Sequence, residues 1–139
     1  MRTALILALA GFWSGASAAG ASPGIEGAWL TDDHKAIVAI RPCGRAMCGY
    51  IDKVLNKDPS VPRTDVENSD PRLRSRPILG LPILTGFTPA GSVWKGGHAY
   101  DPKTGRSYRS TLGLNGDGSL KVTGCVLFIC QSQRWTRAR

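Results

Sequence analysis

Several common signals are missing from this sequence. No stretch of ten or more residues carries apolar side chains at a helical period, which argues against a helical bundle. After residue 18 no apolar run approaches the roughly 20 residues that a membrane helix needs. Only two histidines are present, His34 and His98, and neither comes with a Ser or Cys nucleophile motif, so an acyl-transfer triad has no clear basis. There is no redox Cys-x-x-Cys, no zinc-ribbon spacing and no complete EF-hand loop. Internal repeats and low-complexity tracts are absent.

What is present begins with a leader. Arg2 supplies one positive charge, Ala4 to Trp13 is an apolar run of ten, and "ASA" at Ala16–Ala18 offers the small residues read by a signal peptidase. That order predicts a secretory signal peptide over residues 1–18, a short linker over 19–26 and a single domain over 27–139. No cysteine follows the expected cut, so no lipid anchor is expected there. The mature chain should be soluble and exported, to the periplasm or the medium. Beyond residue 18 it carries 17 Lys and Arg against 10 Asp and Glu, a net +7. The plain reading of such charge is that it keeps the protein soluble; if it serves a partner, a location outside the cytoplasm points to anionic envelope polymers, lipid headgroups or acidic small molecules rather than nucleic acid.

Cys43, Cys48, Cys125 and Cys130 all lie in the mature chain. Four cysteines in an oxidising compartment predict two disulfides, with three connectivities open. Pairing within each Cys-x4-Cys requires a tight turn, because a fully extended link would separate the Cα atoms by roughly 17 Å. "CGRAMC" has Gly44 to help; "CVLFIC" has no turn former. Each such loop would contribute about 2 kcal/mol.

Strand signals dominate the rest: short β-branched and aromatic runs separated by Gly, Pro, Asn and Asp. They place strands near Gly27–Thr31, Ala36–Arg41, Gly49–Val54, Leu79–Leu84, Ser92–Lys95, His98–Tyr100, Ser107–Leu112, Leu120–Cys125 and Gln131–Thr136. "TDDHK" and "NGDGS" read as turns. Tyr108, Ser110 and Leu112 share one face, and Leu120 and Val122 another. Asn56 to Arg76, rich in proline and arginine, reads as one long loop with room for a helical turn. About eight short antiparallel strands in this length predict an all-β fold, a small closed barrel or a compact sandwich.

Candidate residues cluster in three places. In the long loop, Asp65, Glu67, Asn68 and Asp70 could bind calcium, but Arg63, Arg72, Arg74 and Arg76 nearly cancel them. The bland reading is an Asp–Asn–Arg network that pins the loop. The other reading is an anion site at Arg72, Arg74 and Arg76, which would share one side if the chain there is extended. Trp29 and Trp135 stand in the first and last strands, where a closing barrel must join. Arg137 or Arg134 could stack on an indole at that seam. Trp94 and Tyr100 are candidate binding aromatics. His98, Tyr100 and Asp101 could form a hydrolytic site, although Asp101 is explained equally well as a turn cap.

"CGRAMCGYI", "DVENSDPRLRSRPILGLPIL", "WKGGHAYDPKTGRSY" and the terminal "RWTR" together resemble the domain of unknown function 2147 family of small exported bacterial proteins. The resemblance runs from Gly27 to Arg137. It implies a closed, lipocalin-like β-barrel and no established activity. Gly27 and Trp29 with Arg137 are also similar to the lipocalin pattern of Gly-x-Trp under a packed arginine.

The leading expectation is a non-enzymatic exported barrel that binds a small, partly apolar or anionic ligand or an envelope component, with no cofactor and no metal. A protein-interaction or envelope-stress module with a packed interior is the first alternative. A hydrolase using His98, Tyr100 or Asp101 is the second. An open apolar interior would favour the first reading, and a filled one the second.

Overall fold

The computed structural model describes residues 24–139. The expected signal peptide and most of the expected linker lie outside the described residues. Eight strands follow in chain order: β1 Gly27–Leu30, β2 Ala36–Cys43, β3 Ala46–Val54, β4 Pro82–Ala90, β5 Val93–Asp101, β6 Arg106–Leu114, β7 Leu120–Val126 and β8 Ile129–Arg137. Each pairs antiparallel with the next, and β8 returns to β1 to close the barrel. A 3₁₀ turn at Pro71–Leu73 interrupts the long β3–β4 loop.

Alternation along the strands fills the interior. Trp29 faces Val38, Val38 faces Ile51, and Leu112 faces Val122 across neighbouring strands, so these side chains share one side. Tyr108, Ser110 and Leu112 therefore share the barrel interior with Leu120 and Val122 rather than lying on a separate face, because Leu114 also pairs with Leu120. The core is Trp29, Val38, Ile40, Phe87, Leu112, Leu120 and Trp135 with their neighbours.

Most strands differ from expectation by three residues or fewer at an end, β3 starting at Ala46 rather than Gly49, but two assignments change more. The Ser92–Lys95 and His98–Tyr100 segments are one strand, β5, with a register shift between Trp94 and Gly97. Gly96 and Gly97 read as a break, but they accommodate a bulge. At Gly97 an added Cβ would fall 2.5 Å from the Phe87 ring, so the bare backbone makes room for that core residue. The Leu79–Leu84 strand is displaced. Ile78–Leu81 forms a turn, with the Leu81 amide donating to the Ile78 carbonyl at 3.0 Å. Pairing begins at Pro82 and continues through "TGFTPA", whose Gly and Pro masked it.

The barrel seam is short, with only Trp29↔Arg137 and Leu30↔Thr136 in register. Side chains reinforce it. The Arg137 guanidinium lies 4.1 Å from the Trp29 ring centroid and donates to the carbonyls of Glu26 (2.6 Å) and Gly24 (2.8 Å). The Trp29 indole N–H donates to Ile25 at 2.8 Å. Three successive carbonyls are thus tied beneath one end of the barrel. Ile25, read from sequence as linker, belongs to the core. Gly27, at φ 129°, is needed here: a Cβ would sit 2.6 Å from the Arg137 guanidinium.

Both disulfides are local. Cys43–Cys48 spans the β2–β3 turn and Cys125–Cys130 spans the β7–β8 turn. Cys125 and Cys130 are register partners with Cα atoms 4.1 Å apart. A two-residue turn at Leu127-Phe128 achieves this by taking Leu127 to φ 54°, so the turn forms without a glycine.

Candidate functional site: the open end of the barrel

Inward-facing rows lose their burial toward one end. On β8, Trp135 is buried but Gln133 and Gln131 are exposed; on β7, Leu120 and Val122 are buried but Val126 is exposed. On β6, Leu112 and Ser110 are buried and Tyr108 only partly. The end holding Trp29, Phe87 and Leu112 is packed. The opposite end, ringed by the β1–β2, β5–β6 and β7–β8 turns, opens into a recess of about 660 Å³. That falls within the roughly 300–1,000 Å³ range of small-molecule sites.

The recess is layered. Leu84, Val122 and Trp135 form an apolar floor; Ala99, Tyr108, Gly124, Gln131 and Gln133 line the wall; Asp32, Asp33, Lys103 and Arg106 stand at the rim. Gln133 accepts from the Trp135 indole at 2.9 Å, which fixes both side chains. Among the described residues, the Tyr108 hydroxyl, the Gln131 amide and the Arg106 guanidinium make no hydrogen bond to the protein, so they are free to meet a ligand. Asp33 is held by Lys103 (2.7 Å) and Thr31 (2.8 Å). Partial burial alone would raise its pKa, but these bonds bring it down to about 2.

Beside this recess the long loop is pinned at Asp65. This fully buried carboxylate accepts from Tyr100 (2.6 Å), Asn68 (2.8 Å) and Arg76 (3.0 Å). Burial pushes its pKa up, yet the three donors outweigh burial and hold it below the usual carboxylate range. Tyr100 lines the recess while its hydroxyl reaches Asp65. Burial, then the Asp65 hydrogen bond, pushes the phenol up to about 12. The loop is clamped from the other side by Gly105, at φ 72°, where any Cβ would collide with the Glu67 carbonyl oxygen.

The residues expected from sequence are dispersed. Arg72, Arg74 and Arg76 do not share one side, because the 3₁₀ turn replaces extended chain. Arg72 pairs with its neighbour Asp70 at 3.0 Å, Arg74 donates to the Asn68 carbonyl at 2.8 Å, and Arg76 turns inward to Asp65. None lines the recess. Trp94 packs against the core near the closed end. Arg134 is engaged with Asp117 and Ser119, which leaves Arg137 as the arginine on Trp29. His98 is exposed, opposite Arg109 in register. Asp101 caps its own turn at the Lys103 amide, 2.9 Å away. The Tyr100 hydroxyl is committed to Asp65; Tyr100 and Asp101 both line the recess, and His98 does not. Of the expected binding residues, Tyr100 alone reaches the recess. Tyr108, Gln131 and Gln133 were missed: the amides alternate before Trp135, but that pattern does not tell an inward face from an outward one until register is known.

Among the described residues no three His, Cys, Asp or Glu side chains converge as a metal site, and no helix is long and apolar enough to cross a membrane.

An eight-stranded antiparallel meander, closed on itself and packed at one end only, is a lipocalin-like barrel. A family model described as uncharacterized proteins conserved in bacteria, DUF2147, matches residues 27–137, and the chain belongs to that family. Among solved structures it is similar to HP1028 of Helicobacter pylori, described as belonging to the lipocalin family. The TM-score is 0.73 at 21% identity, covering 85% of each chain. No curated protein matches the sequence.

Proposed function

We propose that the protein is an exported, non-enzymatic barrel that binds a small, partly apolar ligand in the recess at its open end. The observation that carries this is the recess itself: an apolar floor beneath free hydroxyl, amide and guanidinium groups, in a volume suited to a small molecule. A ligand with an apolar body and one polar or acidic group fits that layering. Export to the periplasm or medium is supported by the leader-like N-terminus and by two disulfides. With His98 outside the recess, the Tyr100 hydroxyl bound to Asp65 and Asp101 capping its own turn, binding is favoured over hydrolysis. The arginines of the long loop serve the fold in this reading.

Native mass spectrometry of the protein purified from its own host tests the reading. A discrete adduct that is lost on denaturation is expected. The absence of any adduct, together with no binding across a panel of lipophilic probes, would overturn it.

A further inference from the structure

The tip of the β7–β8 hairpin places four apolar side chains in water. Val126, Leu127, Phe128 and Ile129 are 55%, 90%, 99% and 74% exposed. Isolated exposed apolar residues are ordinary, but a contiguous run at a protruding tip marks a contact surface. The hairpin turn makes the choice of residues more pointed. Leu127 sits at φ 54°, where glycine, asparagine or aspartate would relieve the strain. The turn carries a leucine and a phenylalanine instead. The Cys125–Cys130 bridge lies immediately behind the tip and holds the two strands together, so the apolar residues are presented on a braced support.

We propose that this hairpin tip is a membrane-docking finger, which seats the open mouth of the barrel on an anionic lipid bilayer. Its dimensions favour lipid over protein. A stable protein interface buries about 800 Å² per partner from 20–30 residues, whereas four side chains on one finger are far too few. They do suit shallow burial at the headgroup–acyl boundary, where apolar side chains insert and a basic body is attracted to anionic lipid. The described chain carries a net charge of +7. On the strand paired with β7, Arg109 stands opposite Cys125 and Arg106 lies at the mouth. Asp32, Asp33 and Asp101 occupy the same end, but Asp33 is paired with Lys103 and Asp101 caps its turn. The apolar tip therefore supplies most of the binding, and net charge sets the preference for anionic lipid. Val126 and Ile129 also line the recess, so docking brings the mouth against the lipid surface. The inference stands on the exposed tip and does not require the recess to be occupied.

The test is flotation of the full mature chain with vesicles of phosphatidylethanolamine and phosphatidylglycerol. The variant combines Leu127→Asn with Phe128→Ser. Both side chains are exposed, neither lines the recess, and asparagine tolerates the turn, so the fold and recess binding stay intact. A circular-dichroism melt checks the fold. Each lost apolar side chain is expected to weaken partitioning about tenfold, and the pair about a hundredfold. The proposal is overturned if the wild type does not partition onto the vesicles. Equal partitioning of the double variant also overturns it. So does a tip whose only effect is on self-association, seen by sedimentation without vesicles, since that makes it a protein contact.

Discussion

Asp65 shows how one residue organises the loop. It is fully buried, and its charge is tolerated because Tyr100, Asn68 and Arg76 all donate to it. Asp65→Asn removes the charge and leaves Arg76 facing a neutral amide; a loss of about 3 kcal/mol is expected in a denaturant melt. The two ionisable members act at opposite ends of the pH scale. The folded-state pKa of Asp65 is lowered, so its contribution is present above its ordinary value of 3.8 and is lost as pH falls below it. That of Tyr100 is raised, so its contribution is complete below pH 10 and disappears as pH rises through about 12. Melting curves of Tyr100→Phe should accordingly lose less stability than the wild type between those two alkaline values. Equal losses would show that the phenol is not held as described. The pairs Asp65–Arg76 and Asp70–Arg72 were legible because the partners lie within a dozen residues of one another, whereas Arg74 meets the Asn68 carbonyl instead of an acid. Tyr100 was not legible as a partner of Asp65, since nothing local links positions 35 apart in sequence.

Elements were legible wherever punctuation coincided with geometry. β1, β2, β7 and β8 start within two residues of expectation, because turns rich in Asp, Asn and Gly precede or follow most of them. β4 and β5 were misjudged for one reason: in this barrel Gly and Pro lie inside strands, at Gly86, Pro89, Gly96 and Gly97. Close packing and bulges need them there, and local chemistry cannot distinguish that use from a turn. The β3–β4 loop depends on an element far from it. Gly105 in the β5–β6 turn abuts the Glu67 backbone, so Gly105→Ala meets both a clash and a positive φ. It should lower stability by about 2 kcal/mol or more, with faster amide exchange around Asp65–Arg76 than around β7 and β8. A change spread evenly over the barrel would contradict a local clamp. The β7–β8 turn behaves in the opposite manner: its sequence lacks a turn former, and the cross-strand disulfide accompanies a strained Leu127.

For the molecule as a whole, packing is polarised. Trp29, Arg137 and the Gly24–Glu26 carbonyls close one end, while the inward rows of β6, β7 and β8 open at the other. Strand count narrowed the fold to a closed barrel or a compact sandwich, and the family resemblance implied the barrel, which β8 closes by pairing with β1. The recess was not legible, because inward polar residues on a short strand look the same as outward ones until register is known. The most direct measurement is an equilibrium titration with anilinonaphthalene sulfonate, an apolar anionic probe, on the wild type and on Gln131→Trp, whose larger side chain fills the recess wall. The account predicts saturable binding of one equivalent, about tenfold weaker in Gln131→Trp, and unchanged when Leu127→Asn and Phe128→Ser are introduced together. No saturable binding, or binding indifferent to Gln131→Trp, would contradict it.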